Sequence, residues 1–471
     1  MMRYQQIFSV FRWIIVFLIL QFLSKKIVIN SIFKSYYKSI LYLINIKRVK
    51  KFYHLFLTLF FLIIYRLGSF SKITFGDAAG KILDIERNQL TYETYSITHF
   101  LYFNFNILIH KLFPFINTIE IGRWVNIVSA VIVLNILFSI LQLLNKKLWI
   151  SLLGTVAFGF SFTFWKNTEN IEVYTFCLIW ISLYVLFAIK FVQNKKSKTL
   201  LFAGIMLGVS LFSHVQGVLL IPSYFYLCYL AFRNNIKNRL IFSYFFIPFL
   251  FLALLYIYPI INNESLKNVL SSSEKSWVSD SLKKDLVSYS KDLMKALGYI
   301  IYNFWFLNFA LFFIPIKNFT KDKSLLFLII FGLPVFCFAT IYAVSDNYVF
   351  FLNFNLAYLI ILGVGLNNFI TKFPKYTSLV SILIFSTPLY YYSTRQLAMQ
   401  TTKGKEFHQQ KAYKDGLNYY LLPWMNNNKG ILEVILNNEE TNEDIEWMKE
   451  TGQKLIDLKS KTMTKEEIKK L

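Results

Sequence analysis

The sequence predicts an all-α, polytopic integral membrane protein with eleven to twelve transmembrane helices, and three observations carry that reading. Of 471 residues, 56% are apolar and only 16% charged, with a mean hydropathy of +0.47; soluble globular chains hold about 45–50% and about 25%. The apolar residues come in runs near the roughly 20 residues that cross a bilayer core. The basic residues sit between those runs instead of forming a face. This last pattern explains the net charge of +24 without nucleic acid as a partner. Composition excludes a disordered chain as well. Fifty Phe, 30 Tyr and 9 Trp suit a surface in contact with membrane lipids and banded by interfacial belts. Cys177, Cys228 and Cys337 each lie inside an apolar run with no CxxC spacing, so they imply neither a metal site nor a disulfide framework.

Eleven apolar runs lie near 52–70, 124–144, 148–165, 172–192, 199–213, 215–232, 240–261, 299–316, 324–343, 347–366 and 376–392. A twelfth, 7–23, has no small-residue cleavage site after it and is followed by a basic stretch, so it reads as an uncleaved span or an interfacial helix. Orientation follows from Lys and Arg in short loops. With 24–51 cytoplasmic, the inside segments 24–51, 145–147, 193–198, 233–239, 317–323 and 367–375 hold 21 basic residues against one acid, Asp322. Every other acid falls on the opposite side or at its membrane edge. The chain divides into 1–51, a hydrophobic segment with a basic cytoplasmic stretch; 52–392, the transmembrane domain; and 393–471, an extracytoplasmic tail. The first outer loop, 71–123, has helical spacing at Ile82, Ile85 and Leu90 and then an aromatic run from His99 to Pro114, which predicts a helical hairpin on the membrane surface. Segment 262–298 is Ser- and Lys-rich and reads as an outer loop. The tail, with 13 basic and 12 acidic residues, predicts a small cap.

Polar groups at membrane depth are costly, so those that converge are functional candidates. At the outer ends of different spans stand Asp77, Arg123, Lys166, Glu169, Glu172, His214 and Asp346. The inner loops hold almost only Lys and Arg. Such a set suits group transfer from a lipid-linked donor: a carboxylate takes the proton of an acceptor hydroxyl, and cations neutralise a phosphate leaving group. Asp77 and Glu172 are the candidate catalytic acids, and Arg123, Lys166 and His214 the candidate donor-phosphate ligands. Glu169 and Asp346 are further candidates. Each has a plainer reading too: Asp77 as a helix N-cap, Glu172 as a partner of a helix dipole, His214 as a packed residue at a break, Arg123 as a snorkelling side chain, and Glu169 and Asp346 as solvated loop acids. The aromatic stripe 100–105 reads first as an interfacial anchor.

Five ordered segments carry a family resemblance: Phe75-Gly-Asp-Ala-Ala-Gly; Trp124-Val-Asn-Ile-Val-Ser-Ala; Phe164-Trp-Lys with Glu172-Val-Tyr; Leu207-Gly-Val-Ser-Leu-Phe-Ser-His; and Asp346-Asn-Tyr-Val-Phe-Phe. Together they resemble the family of the domain of unknown function 2723, the TMEM260-like protein O-mannosyltransferases, within the GT-C glycosyltransferases. The resemblance implies a GT-C-like bundle, a polyprenyl-phosphate-type sugar donor, and an acid of the first outer loop as base, a position that Asp77 matches. Gly80 stands where the family carries a second acid, Thr94-Tyr-Ser-Ile-Thr-His replaces a His-Pro-Pro-Gly-Tyr-like stretch, and Arg123 lies one place early. Glu86 or Glu93 could supply the second carboxylate.

The expectation is a glycosyltransferase moving a sugar from a lipid-linked donor to a protein or glycan acceptor on the outer face of the membrane. The sequence requires no cofactor and leaves metal use open. Abundant Lys, Asn, Ile and Phe suggest an AT-rich bacterial genome, hence the inner (plasma) membrane with a periplasmic site. The competing reading is a transporter or flippase of lipid-linked glycans, which would place its polar residues at the midplane on broken helices.

Overall fold

A computed structural model describes residues 46–90, 99–145, 147–261, 277–344, 346–409, 416–426, 428–440 and 446–471. The 7–23 run and Glu93 lie outside them. Among the described residues every regular element is helical, as expected where a backbone surrounded by lipid must satisfy its own N–H and C=O groups.

The described residues begin with α1 (Ile46–Gly68), run through segment 71–123 with α2 (Ala78–Arg87) and α3 (Phe100–Leu112), and enter the long α4 (Thr118–Asn145). The pair α5 (Leu148–Gly159) and α6 (Phe162–Glu169) follows, bent by 63°. Then come α7 (Tyr174–Asn194), α8 (Ser197–Ser213), a 3-10 turn at Val215–Leu220 and α9 (Ile221–Arg233). Among the described residues, eight stretches are long and apolar enough to cross a membrane, or nine with the bent pair counted as one span; Ser197–Ser213 and Pro374–Phe385 are apolar but shorter. All eleven runs read from the sequence fall on helices, but length reduces the number of clear spans. The protein is thus a multi-pass membrane protein.

Burial sorts the spans. The window in Asn347–Lys372 is 78% buried, whereas that in Asn238–Ile257 is 11% buried and exposes Phe242, Phe246, Leu250, Leu254 and Ile257. The first is a central helix and the second faces lipid. Small residues allow close approach at the centre: a Cβ on Gly365 would collide with the Ala310 carbonyl, and one on Gly159 with the Phe61 ring.

Two sequence readings change. Segment 262–298 is not wholly a loop, because α10 (Leu286–Phe304) starts inside it, with Asp285 as N-cap accepting from the Ser288 N–H at 2.8 Å. Lys291, Asp292 and Lys295 lower the hydropathy of the first turns, which hid a stretch that continues to Phe313. The run 376–392 is interrupted at Ser386, between α11 (Thr377–Phe385) and α12 (Thr387–Ala398), with Pro388 in the first turn of the second helix.

The tail is not an independent cap. Its described part carries α13 (Gly416–Leu421), α14 (Ile431–Leu436) and α15 (Glu446–Lys459), and it is joined to the chain just after α1. The Met425 N–H donates to Gly68 O at 3.1 Å and the Ile431 N–H to Ile73 O at 3.0 Å, while Asn428 Oδ1 accepts from the Ser71 and Lys72 N–H groups at 2.7 and 3.1 Å. Ile73, Phe75, Ala78, Ala79 and Ile82 share one apolar core with Ile431, Leu432, Val434, Met448 and Leu455. First loop and tail fold as one unit at one end of the bundle.

Candidate active site

Gly76, at φ +90°, takes a backbone conformation that side chains disfavour and turns the chain into α2. Asp77 occupies the N-cap position of α2 but its side chain makes no capping hydrogen bond. The plainer reading as a cap is therefore not realised, and the carboxylate is 40% exposed. One turn later Lys81 lies on the same helix face. Its side chain is 1% exposed, stands 3.8 Å from Asp77 and is paired with Glu172.

Glu172 reaches this point because the bend between α6 and α7 is pinned. Asn126 of α4 donates to Asn170 O at 2.5 Å, the Ile171 N–H donates to Asn170 Oδ1 at 2.8 Å, and Thr74 bonds the same side-chain oxygen. Gly122 leaves room for Ile171 against α4. Burial pushes the Glu172 carboxyl up to about 7; Lys81 opposes the shift, and the like charges of Asp77 and Asp346 add to it. Asp346 thus lies within the electrostatic reach of Glu172, just ahead of the 3-10 turn Asn347–Phe351.

Around these acids stands an aromatic wall. His214, between α8 and the next turn, packs its ring 4.9 Å from His99 and 5.6 Å from Tyr174, and Tyr174 lies 6.0 Å from Phe350. His214 Nδ1 accepts the Gln216 backbone N–H at 3.0 Å. A neutral ring then carries its proton on Nε2.

The structure therefore gathers Asp77, Glu172, Asp346 and His214, and separates the other candidates. Arg123 pairs with Glu120 at 2.9 Å, and Glu120 also holds Arg66 at 3.2 Å. Lys166 is buried, donates to the Tyr419 carbonyl and lies 3.2 Å over the Tyr419 ring. The expected trio Arg123, Lys166 and His214 thus stands in three different environments, because each cation meets partners from a different segment. Glu169 is buried against Gly68 and accepts from Trp165 Nε1 at 2.5 Å, so it is not a solvated loop acid. Glu86 is a clamp on the tail. Burial pushes its carboxyl up, but hydrogen bonds from Lys459 and Thr118 outweigh that and hold it below the usual carboxylate range. Sequence reasoning missed Lys81, His99 and Tyr174. Lys81 left a usable signal, since it lies four residues after Asp77 on a helix. Among the described residues, no group of three or more His, Cys, Asp or Glu side chains is placed to hold a metal ion.

The family model described as Protein O-mannosyl-transferase TMEM260 N-terminal domain matches residues 101–238, in line with the resemblance carried by the motifs. Among solved structures, the chain is similar to ArnT from Cupriavidus metallidurans bound to undecaprenyl phosphate, with TM-score 0.51, 12% identity, 74% of this chain and 64% of that chain covered. It is also similar to ArnT from the same organism in the apo state, with TM-score 0.51, 11% identity, and 78% and 67% covered. The chain thus spans slightly under two thirds of the undecaprenyl-phosphate-bound ArnT chain. No curated protein matches it in sequence. At such low identity the likeness is one of fold alone.

Proposed function

We propose that this GT-C-like bundle is a membrane glycosyltransferase, moving a sugar from a polyprenyl-phosphate-type donor to a protein or glycan hydroxyl. The observation that carries the reading is the meeting of Asp77 and Glu172 at one buried lysine, Lys81, with Asp346 within electrostatic reach of Glu172. Each acid comes from a different segment and all lie at one end of the bundle, the extracytoplasmic end in the orientation set by the basic loops. The undecaprenyl phosphate held by ArnT supports the donor class, and the family description supports a protein O-mannosyltransferase. Inner-membrane location with a periplasmic site combines that orientation with the bias towards Lys, Asn, Ile and Phe, which suits an AT-rich bacterial genome. A transporter would collect such carboxylates near the midplane.

Asp77 is the base. It takes the proton of the acceptor hydroxyl while that oxygen bonds to the anomeric carbon and the bond from this carbon to the phosphate oxygen breaks. The electron pair leaves on the phosphate, whose charge Lys81 neutralises, taking the place first expected for Arg123 and Lys166. Glu172 positions Lys81 between reactions, and His214 offers its Nε2–H to the sugar or the phosphate. Protein reconstituted with a polyprenyl-phosphate sugar and an acceptor tests this. Asp77→Asn keeps the shape but loses the proton acceptor, so it should bind donor and form no product, with Glu172→Gln less severe. Turnover by Asp77→Asn near the unmodified rate removes Asp77 as base. Unaltered glycans and glycoproteins in a strain lacking the protein overturn the transferase reading.

A further inference from the structure

Two pairs of helices are joined beside the carboxylate cluster by 3-10 turns. Between α8 and α9 the chain passes through His214 and the turn Val215–Leu220; between the helices Lys323–Ile341 and Leu352–Lys372 it passes through Asp346 and the turn Asn347–Phe351. Each turn is thus led by a residue of the candidate site. Where helices break at membrane depth, side chains take over part of the hydrogen bonding of the backbone.

One side chain spans the two turns. Gln216, 9% exposed, donates from Nε2 to the Phe350 carbonyl at 2.9 Å, and its Oε1 accepts from Asn353 Nδ2 at 3.4 Å. Its backbone N–H donates at the same time to His214 Nδ1 at 3.0 Å. A single residue therefore holds the imidazole with its main chain and the opposite turn with its side chain. An amide suits this place because it supplies a donor and an acceptor with no charge to desolvate. The contact so secured is that of Phe350 with the ring pair, 6.4 Å from His214 and 6.0 Å from Tyr174. The start of the Phe350 turn is tethered elsewhere: Asn347 Nδ2 donates to Ala339 O at 3.2 Å, and Tyr299 OH donates to Asn347 Oδ1 at 3.4 Å. Asn347 thus ties the Asp346 segment to the Lys323–Ile341 helix, and Gln216 ties it to His214.

We propose that Gln216 is a positioning residue, whose amide braces the His214 turn against the Asp346 turn and so fixes His214 relative to the acids of the site. Its catalytic consequence rests on the transferase reading; the brace itself does not.

Full-length protein in nanodiscs tests it with two variants and two readouts. Hydrogen–deuterium exchange reads the brace: Gln216→Leu, close in volume and unable to make either side-chain bond, should raise exchange in the peptide covering 347–353 while the other spans keep theirs. Turnover of a polyprenyl-phosphate sugar reads the consequence, and the same variant should lose up to about 100-fold, the scale of an ångström-level misplacement. Gln216→Glu separates positioning from a general loss of structure. Its carboxyl restores both bonds when protonated, the O–H donating to Phe350 O and the C=O accepting from Asn353, and loses the donor when ionised. Its turnover is divided by that of the unmodified protein at the same pH, which removes the titrations of Glu172, His214 and Asp346 common to both. The ratio should approach one at acid pH and fall as pH rises. Unchanged exchange at 347–353 in Gln216→Leu, or turnover by that variant close to the unmodified rate, overturns the proposal. So does a Gln216→Glu ratio as low at acid pH as that of Gln216→Leu. Absence of product from the unmodified protein would count instead against the transferase reading, and the exchange readout would still decide the brace.

Discussion

Lys81 and Glu172, 91 residues apart in sequence, meet as an ion pair in which the lysine side chain is 1% exposed and the carboxylate 15%. The pair ties the first turns of α2 to the bend before α7. It also places a cation 3.8 Å from Asp77, whose side chain is 40% exposed.

Removing that cation tests its role. Lys81→Met preserves length and loses charge, and removal of one preorganised electrostatic group costs on the order of 10²–10³ in turnover. Breaking a buried pair costs about 3–5 kcal/mol, but Glu172 can take up a proton here, so the loss of stability should be smaller than that. Turnover of the purified variant and its thermal midpoint separate the two effects; turnover within a few-fold of the unmodified protein would exclude Lys81 as the phosphate ligand.

The Glu172 carboxyl, raised by burial to about 7 against an ordinary 4.5, gives two pH dependences. The folded state binds the proton more tightly than the unfolded state. Stability from this group is therefore fully present below about 4.5 and is lost as pH rises through about 7, by an amount on the order of 3 kcal/mol. Turnover should move the other way, rising through pH 7 as Glu172 ionises and holds Lys81 in place. Glu172→Gln should flatten both profiles, which parallel pH series of thermal melts and initial rates would show.

Docking of the tail should depend on Lys166. Its ammonium is caged by Phe162 and Tyr348 at 5.2 Å and by Tyr419 at 3.2 Å, and it donates to the Tyr419 carbonyl. Desolvated cation–π contacts contribute about 2 kcal/mol. Lys166→Met should loosen the tail by at least that much while the spans stay folded, seen as faster proteolysis between 400 and 440. A cleavage pattern matching the unmodified protein would show that the apolar core around Leu432 and Leu455 holds the tail alone.

Orientation is open to a direct check. Reporter fusions in 233–239 and at 430 should lie on opposite sides of the membrane, with 430 outside. The same side for both would break the topology on which the extracytoplasmic site rests.

Much of the bundle was legible because membrane insertion is decided by local quantities. Each of the eleven runs could be read from its own apolar residues and flanking charges, and each lies on a helix. The reading failed where apolarity and helix length part company: Lys291, Asp292 and Lys295 hid the start of α10, although Asp285 is a good N-cap in sequence as well as in structure. The acids of the candidate site were legible for a similar reason. Asp77, Glu172 and Asp346 are isolated charges at span ends, and isolated charges at that depth are visible against an apolar background.

The pairing of these charges was not legible, since it depends on which faces of distant helices meet. By itself the sequence determined a helical membrane protein, its apolar runs and charge asymmetry, and the acids that lie between those runs, because each follows from transfer free energies of short segments. Only the tertiary structure decided that Lys81 and not Arg123 or Lys166 stands among those acids. It also decided that Glu86 clamps the tail and that the tail shares a core with the first loop. Those outcomes rest on Gly122 admitting Ile171, on Asn126 and Asn170 fixing the bend, and on Glu120 and Tyr419 capturing the other two cations, contacts between residues far apart in the chain whose geometry no local pattern encodes.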